Sequence, residues 1–183
     1  MLFRSQHIFR RQRYRLSDCG HPTLWSNWHW EKLESGGLPD YKYASNKLAR
    51  EYSKVADYQQ VALVAIGEMF RQRGSTLVMN ENGYAERGLI IRHLVLPGNV
   101  QNSLDVLNHI AGISTAIAIS LMAQYGPVPA VQHHPLLSRE LLADEYEQVK
   151  AELENLGFYK GWIQELESSN HYRPDFKLDK PFG

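Results

Sequence analysis

Polar side chains follow several short apolar segments of this chain, and they are the side chains best placed to bind a ligand. Asp40 and Lys42 lie two residues apart, just after Pro39, so in an extended segment their side chains point the same way. The lysine can donate to a carboxylate or phosphate, and the aspartate can accept from an amino group or ligate a cation. Their spacing alone also fits an ordinary surface ion pair.

A third charged residue, Arg92, lies inside the most apolar of these segments, residues 88–98. Gly88 precedes the apolar run, Pro97-Gly98 ends it, and only Arg92 and His93 within it are strongly polar. This pattern predicts a strand buried on both faces, as in a parallel sheet that helices cover. Because burying an arginine is costly unless an anionic group meets it, Arg92 predicts either an internal ion pair or an anionic ligand.

Two glutamines also lie near the carboxyl ends of predicted buried strands. Gln124 follows a strand at residues 116–122, and Gln164 lies in a strand at residues 161–166. Ligands bind at the carboxyl ends of the strands in α/β sheets and barrels. Together with Arg92, the two glutamines predict a polar ring that suits a small anionic or zwitterionic ligand, without defining a reaction.

The elements that position these residues follow from hydrophobic periodicity and from turn residues. Strands and helices alternate, which is typical of βαβ units with right-handed crossovers, so the predicted fold class is α/β, as a sheet or as part of a barrel. Asn82-Gly83 predicts a small β-hairpin before the long strand. The predicted helices are residues 46–52, a helix capped by Asp57 and ended by Gly74, one from Ser103 to about Ala111, and one from Ser138 to about Leu156.

Composition restricts the class of partner and the redox compartment. The chain holds 20 lysines and arginines and 20 aspartates and glutamates, so no net charge attracts nucleic acid or a membrane surface. No apolar run reaches the roughly 18 residues that a membrane helix needs. Cys19 is the single cysteine, which excludes an internal disulfide and fits a cytoplasmic protein. His93 is interpreted as a core histidine and His133-His134 as loop residues, so no metal site is predicted.

Four blocks of the chain are similar to consecutive blocks of radical S-adenosylmethionine proteins, and most similar to pyruvate formate-lyase activating enzyme homologues. The blocks are LPDYKYA from Leu38, GLIIRHLVLPG from Gly88, SLMAQY from Ser120 and GWIQE from Gly161. The resemblance implies the C-terminal portion of a partial (β/α)6 TIM-like barrel, with parallel strands and a small β-hairpin insertion, over residues 38–167. Residues 1–37 do not resemble the family and are predicted to be poorly structured, and residues 168–183 are predicted to form an extended C-terminal tail.

The resemblance also implies roles for five residues and an activity. Lys42 would contact the amino acid end of S-adenosylmethionine, and Asp40 would lie at the neighbouring cation or ligand position. Arg92 matches the arginine in the strand before the Pro-Gly, and Gln124 and Tyr125 fall where the next strand faces the same site. The implied activity is reductive cleavage of S-adenosylmethionine and hydrogen abstraction from a protein glycine or a related substrate, with a glycyl-radical enzyme as the partner.

The chain departs from the family where its chemistry begins. The family holds a 4Fe–4S cluster with three thiolates of a Cys-x3-Cys-x2-Cys loop near its first strand, and this chain has only Cys19. The glycine-rich element after the family's second strand is also missing. The chain alone is therefore not expected to run the radical reaction.

Two explanations of this departure stay open at the level of the sequence. The favoured one is a truncated or frame-shifted product whose first 37 or so residues are read in a foreign frame. The other is a genuine half-barrel that a partner completes, or a non-catalytic α/β interaction module. A small anion-binding barrel fragment is a third interpretation, which ignores the resemblance. For a half-barrel, the exposed sheet edge also predicts self-association.

Overall fold

A computed structural model of the chain describes residues 36–81 and 85–166, and they form an α/β fold. Strands and helices alternate as the sequence predicted. A short 3-10 turn, Pro129–Val131, lies in the loop before the last helix. The elements are β1 (Gly36–Gly37), α1 (Asn46–Ser53), α2 (Tyr58–Arg73), β2 (Val78–Met79), β3 (Ala85–Leu94), α3 (Val100–Ile113), β4 (Ala118–Met122), α4 (Ala143–Asn155) and β5 (Gly161–Ile163).

Four of the strands run parallel, in the order β1-β3-β4-β5, and curl into a half-barrel. β2 runs antiparallel to the first residues of β3, with Val78 opposite Arg87, so the sheet as a whole is mixed rather than all parallel. This ladder is the predicted hairpin, although the Asn82-Gly83 turn lies outside the described residues. The predicted α/β class is thus confirmed.

Alternate residues of β3 and β4 separate the sheet into two faces. One face carries Ile91, His93, Ile119 and Leu121, each at most 2% exposed. The apolar members of this face join one hydrophobic core with buried side chains of α2, α3 and α4. None of the residues of the opposite face, here called the second face, belongs to that core; they are Ile90, Arg92, Leu94, Ala118, Ser120 and Met122.

The predicted helix ends are right at several positions. α1 starts at Asn46 as predicted and ends one residue after the predicted Tyr52; the Ser45 hydroxyl, which was not predicted as a cap, accepts a hydrogen bond from the Leu48 amide at 3.2 Å. α2 starts directly after Asp57, although the aspartate side chain makes no capping bond. Gly74 ends α2 with a φ of 62°, in the left-handed region that glycine tolerates best.

Other predicted boundaries are wrong. α3 starts at Val100, so Ser103 is not its cap but a buried residue inside the helix. α4 starts at Ala143 instead of Ser138, and the Glu145 carboxylate, three residues into the helix, accepts a hydrogen bond from the Leu142 amide at 3.0 Å. β4 starts two residues later than predicted, and β5 ends at Ile163, before Gln164.

Most of the two predicted terminal segments lies outside the residues that the structure describes. β1 is formed by the last two residues of the predicted 1–37 segment, Gly36 and Gly37, which pair with Gly88 and Leu89. Residues 1–35, which include Cys19, and the tail from residue 167 lie outside the described residues.

Candidate functional site

The segment that carries Asp40 and Lys42 continues the line of β1 along β3. Pro39 cannot donate a hydrogen bond, but its carbonyl accepts from the Arg92 amide at 2.9 Å. The Tyr41 amide in turn donates to the Arg92 carbonyl at 2.9 Å, and Asp40 pairs with Arg92 as an isolated parallel bridge. The segment is therefore extended, as the spacing of Asp40 and Lys42 requires.

Side chains from two helices fix the backbone of Lys42. The Tyr58 hydroxyl at the start of α2 accepts from the Lys42 amide at 2.8 Å and donates to the Asp40 carbonyl at 3.1 Å. Asn102 of α3 donates to the Lys42 carbonyl at 2.9 Å and accepts from the Ala44 amide at 2.8 Å. Both backbone polar groups of Lys42 are thus bonded, which leaves only its side chain free to move.

Asp40, Lys42 and Arg92 form a charge cluster. Arg92 Nε donates to Asp40 Oδ1 at 2.5 Å, and Lys42 Nζ lies 3.9 Å from Asp40 Oδ2. The side chains are 37% (Asp40), 51% (Lys42) and 35% (Arg92) exposed, so each pair contributes only about 0–1 kcal/mol to stability. The predicted Asp40–Lys42 surface ion pair is confirmed. Arg92 also pairs with Asp40, but the prediction that Arg92 is buried is wrong, since its side chain is 35% exposed. The cluster keeps one net positive charge that faces solvent.

The sheet register places this cluster in a line of side chains across the second face. Asp40 pairs with Arg92, Arg92 with Ser120, and Ser120 with Trp162 of β5. Laterally paired residues of a sheet project to the same face, and neighbouring strands lie about 4.8 Å apart. These four residues, here called the polar row, therefore span about 14 Å from the charge cluster to the indole.

Gln124 and Gln164 meet at the carboxyl ends of β4 and β5. Gln164 Nε2 donates to Gln124 Oε1 at 3.2 Å, and Gln164 Oε1 accepts from the Ala123 amide at 3.1 Å. The glutamines thus lie together, as the predicted polar ring requires. Within residues 36–81 and 85–166, no hydrogen bond or ion pair links them to the charge cluster.

The Tyr125 side chain forms a hydrogen bond to the loop that follows β4. Its hydroxyl donates to the Leu137 carbonyl at 2.7 Å, and burial raises the pKa of the phenol. The hydroxyl is therefore committed to the backbone of the loop, and the structure does not bring it to the charge cluster.

The histidines support the fold. His93 is fully buried; its Nδ1 donates to the Tyr41 carbonyl at 2.8 Å, and its Nε2 accepts from the Ser103 hydroxyl at 2.9 Å. Burial lowers the His93 pKa to about 4, so the ring is neutral, as a core histidine should be. His134 Nδ1 accepts from the amides of Leu136 and Leu137. The described residues contain no group of histidine, cysteine, aspartate and glutamate side chains that could hold a metal ion.

A pocket of about 270 Å³ lies between α1 and the start of α3. Its charged lining residues are Lys47, Glu51 and Asp105, and Asp40, Lys42 and Arg92 are not part of its wall. None of the five residues to which the resemblance gives a role lines this pocket, so the charge cluster is the candidate site.

Sequence reasoning missed the residues that hold and extend the site. Tyr58 and Asn102 carry no local signal, because they act on a segment 16 and 60 residues away in the chain. Ser120 and Trp162 occur in the blocks that resemble the family, but only the strand register places Ser120 beside Arg92 and Trp162 one strand further.

Comparison with protein-family models, curated proteins and solved structures gives no match to this chain. Among the helices that the structure describes, none has the length and apolar character needed to span a membrane.

Proposed function

We propose that this chain is a radical S-adenosylmethionine-type half-barrel that binds the amino acid end of S-adenosylmethionine at Asp40, Lys42 and Arg92. In this proposal the four parallel strands are the C-terminal portion of a partial (β/α)6 barrel, and the second face is its inner face. One observation supports the proposal above the others: two cations and one carboxylate meet, partly exposed, on that face.

The charges of the cluster suit a zwitterionic head group. Lys42 and Arg92 can donate to a ligand carboxylate, and Asp40 can accept from a ligand ammonium group. Because the Lys42 amide and carbonyl are both hydrogen-bonded, the backbone is fixed and the ammonium group can move only as far as the side chain reaches. Gln124 and Gln164 would add amide donors and acceptors at the neighbouring strand ends.

The family's 4Fe–4S cluster does not fit the thiols of this chain. The cluster needs three thiolates from one protein loop, and the chain holds one cysteine. The part of the reaction assigned to this chain is therefore binding and orienting the ligand. Electron transfer would require a cluster site outside these 183 residues, and a glycyl-radical enzyme remains the proposed partner of the complete system.

Isothermal titration calorimetry with S-adenosylmethionine tests the proposed site. Arg92→Met should weaken binding at least about tenfold, because it removes a charged hydrogen bond to the carboxylate, and Lys42→Met should also weaken it. The matched control is Arg71→Met, which removes an arginine from an exposed ion pair with Glu68 in α2. Equal affinity in all four proteins, or no saturable binding to the unmutated chain, would overturn the proposal.

A partner-completed half-barrel is the second candidate function. Of the four parallel strands, β1 and β5 are the outer two and contain only two and three residues. Within the described residues no further strand pairs with the outer edge of either, and such edges can accept additional strands. Light scattering and cross-linking should then show a complex, either with a second copy or with a protein that supplies the missing strands. A purely monomeric chain that pulls down no such protein would count against this candidate.

A further inference from the structure

The guanidinium group at the end of α2 is buried on one edge and has no partner there. Nε and Nη2 of Arg73 are both shielded from solvent, and neither donates a hydrogen bond within the residues that the structure describes. Arginine keeps its charge at every physiological pH, and a buried charge is unfavourable unless an anionic group pairs with it. This edge of the guanidinium therefore lacks the acceptor that its burial calls for.

Arg73 continues the stripe of α2 side chains that faces the core. Ile66 is buried and Met69 packs against the core, seven and four residues before Arg73, so the three side chains share one face of the helix. At the start of α2, Tyr58 bonds to the Asp40 carbonyl at the carboxyl end of the parallel strands. The helix then runs back to their amino end, so Arg73 lies at the end of the sheet opposite to the charge cluster.

The carboxylate closest to Arg73 in the sequence is already occupied. Both oxygens of Glu68 accept hydrogen bonds from Arg71, at 2.7 Å each. A second cation lies at the same end of the sheet, because Lys160 Nζ donates to the carbonyl of Ser75, two residues after Arg73, at 2.9 Å. No ion pair among the described residues includes Arg73 or Lys160, so neither cation is compensated by contact with a carboxylate.

We propose that Arg73 is the binding site of an oxyanion, a phosphate or a carboxylate group, at the amino end of the sheet. Nε and Nη2 form one edge of the planar guanidinium, and this edge can donate two parallel hydrogen bonds to two oxygens of one anion. The Arg73 side chain as a whole is only half-buried, so rotation of its flexible stem brings this edge to the ligand. The site is separate from the proposed S-adenosylmethionine site, and neither depends on the other.

Thermal melts of Arg73→Met test the site, because methionine keeps an apolar stem and removes the charge. With chloride as the only added anion, the variant should melt at least about 2 °C above the unmutated chain, since an unpaired buried charge is lost. Inorganic phosphate at constant ionic strength should reduce this difference, because it binds only the folded unmutated chain at Arg73. Arg71→Met is the matched control for the general stabilising effect of phosphate, and it should respond to phosphate as the unmutated chain does.

A titration of the Gly74 amide resonance with phosphate measures binding next to Arg73 directly. Arg73→Lys keeps the charge but loses the two-donor edge, so it should fold normally and bind phosphate about tenfold more weakly. Acetate in place of phosphate distinguishes the two anions: a saturable shift with both assigns the site to carboxylates as well, and a shift with phosphate alone restricts it to phosphate groups. Equal responses of the unmutated chain and Arg73→Met to both anions would overturn the proposal, as would an Arg73→Met variant that is less stable in chloride.

Discussion

The side chain of Asn102 offers the sharpest test of how the candidate site is positioned. Asn102 is 9% exposed and bonds to the Ala44 amide and the Lys42 carbonyl. Asn102→Ala removes both hydrogen bonds and leaves the amide of the buried Ala44 without an acceptor. Each bond contributes about 1 kcal/mol, and an unsatisfied buried amide costs a further 1–3 kcal/mol, so the free energy of unfolding should fall by about 3–5 kcal/mol.

Urea denaturation followed by circular dichroism measures this loss, and hydrogen exchange measures the protection of the Ala44 amide. Asn108→Ala is the matched control on the same helix. Asn108 is exposed and bonds to Leu104 and Glu152, so its loss should change stability by less than about 0.5 kcal/mol. Asn102→Asp keeps an acceptor for Ala44 and should lie between the two.

Two results would refute this reasoning. One is an Asn102→Ala variant as stable as the control variant. The other is unchanged protection of the Ala44 amide despite a loss of stability. Either result would mean that the segment is held by its backbone bonds to β3 and not by the asparagine.

Three further predictions concern the pH dependence of stability and the effect of adding a side chain at two glycine positions. Burial lowers the His93 pKa from its usual 6.5 to about 4, so the free energy of unfolding should decrease as pH falls from 6.5 to 4. An NMR titration should show that the His93 ring protonates near pH 4. A hydrogen bond from Arg139 lowers the Glu145 pKa to about 2, so the stability lost in Glu145→Gln at neutral pH should disappear as pH falls from about 4.5 towards 2. Gly161→Ala would place a methyl group 1.8 Å from a β4 carbonyl oxygen and should prevent folding or cost several kcal/mol in thermal melts, whereas Gly67→Ala, in open helix surface, should stabilise the chain by up to about 1 kcal/mol.

Local patterns predicted the parts of the fold that depend on neighbouring residues. The apolar run around Arg92 predicted the position of β3, because apolar side chains at nearly every position are typical of a central strand. It did not predict the exposure of Arg92 itself, which lies on the face outside the core. Gly74 predicted the end of α2 because glycine tolerates the positive φ that many helix ends adopt, and its φ in the structure is 62°. The two-residue spacing of Asp40 and Lys42 predicted their shared direction, which the extended backbone confirms.

Distant contacts decided what the sequence could not predict. Ser103 is a good capping residue by type, but its hydroxyl bonds to His93 and α3 starts three residues earlier. Tyr125 follows β4 as the resemblance requires, but its hydroxyl donates a hydrogen bond to the Leu137 carbonyl instead of pointing to the charge cluster. In both cases the partner is 10 or more residues away, and local propensity contains no information about it.

The bonds around Lys42 also link ligand binding to the stability of the whole domain. Its backbone is set by α2 and α3, and the preceding residue bonds to β3, so the candidate site exists only while all three elements are docked. Local opening of one loop cannot preserve the site, and a bound ligand would therefore oppose global unfolding. Its stabilising effect should grow with the logarithm of ligand concentration above Kd, which makes the melting temperature a direct readout of occupancy.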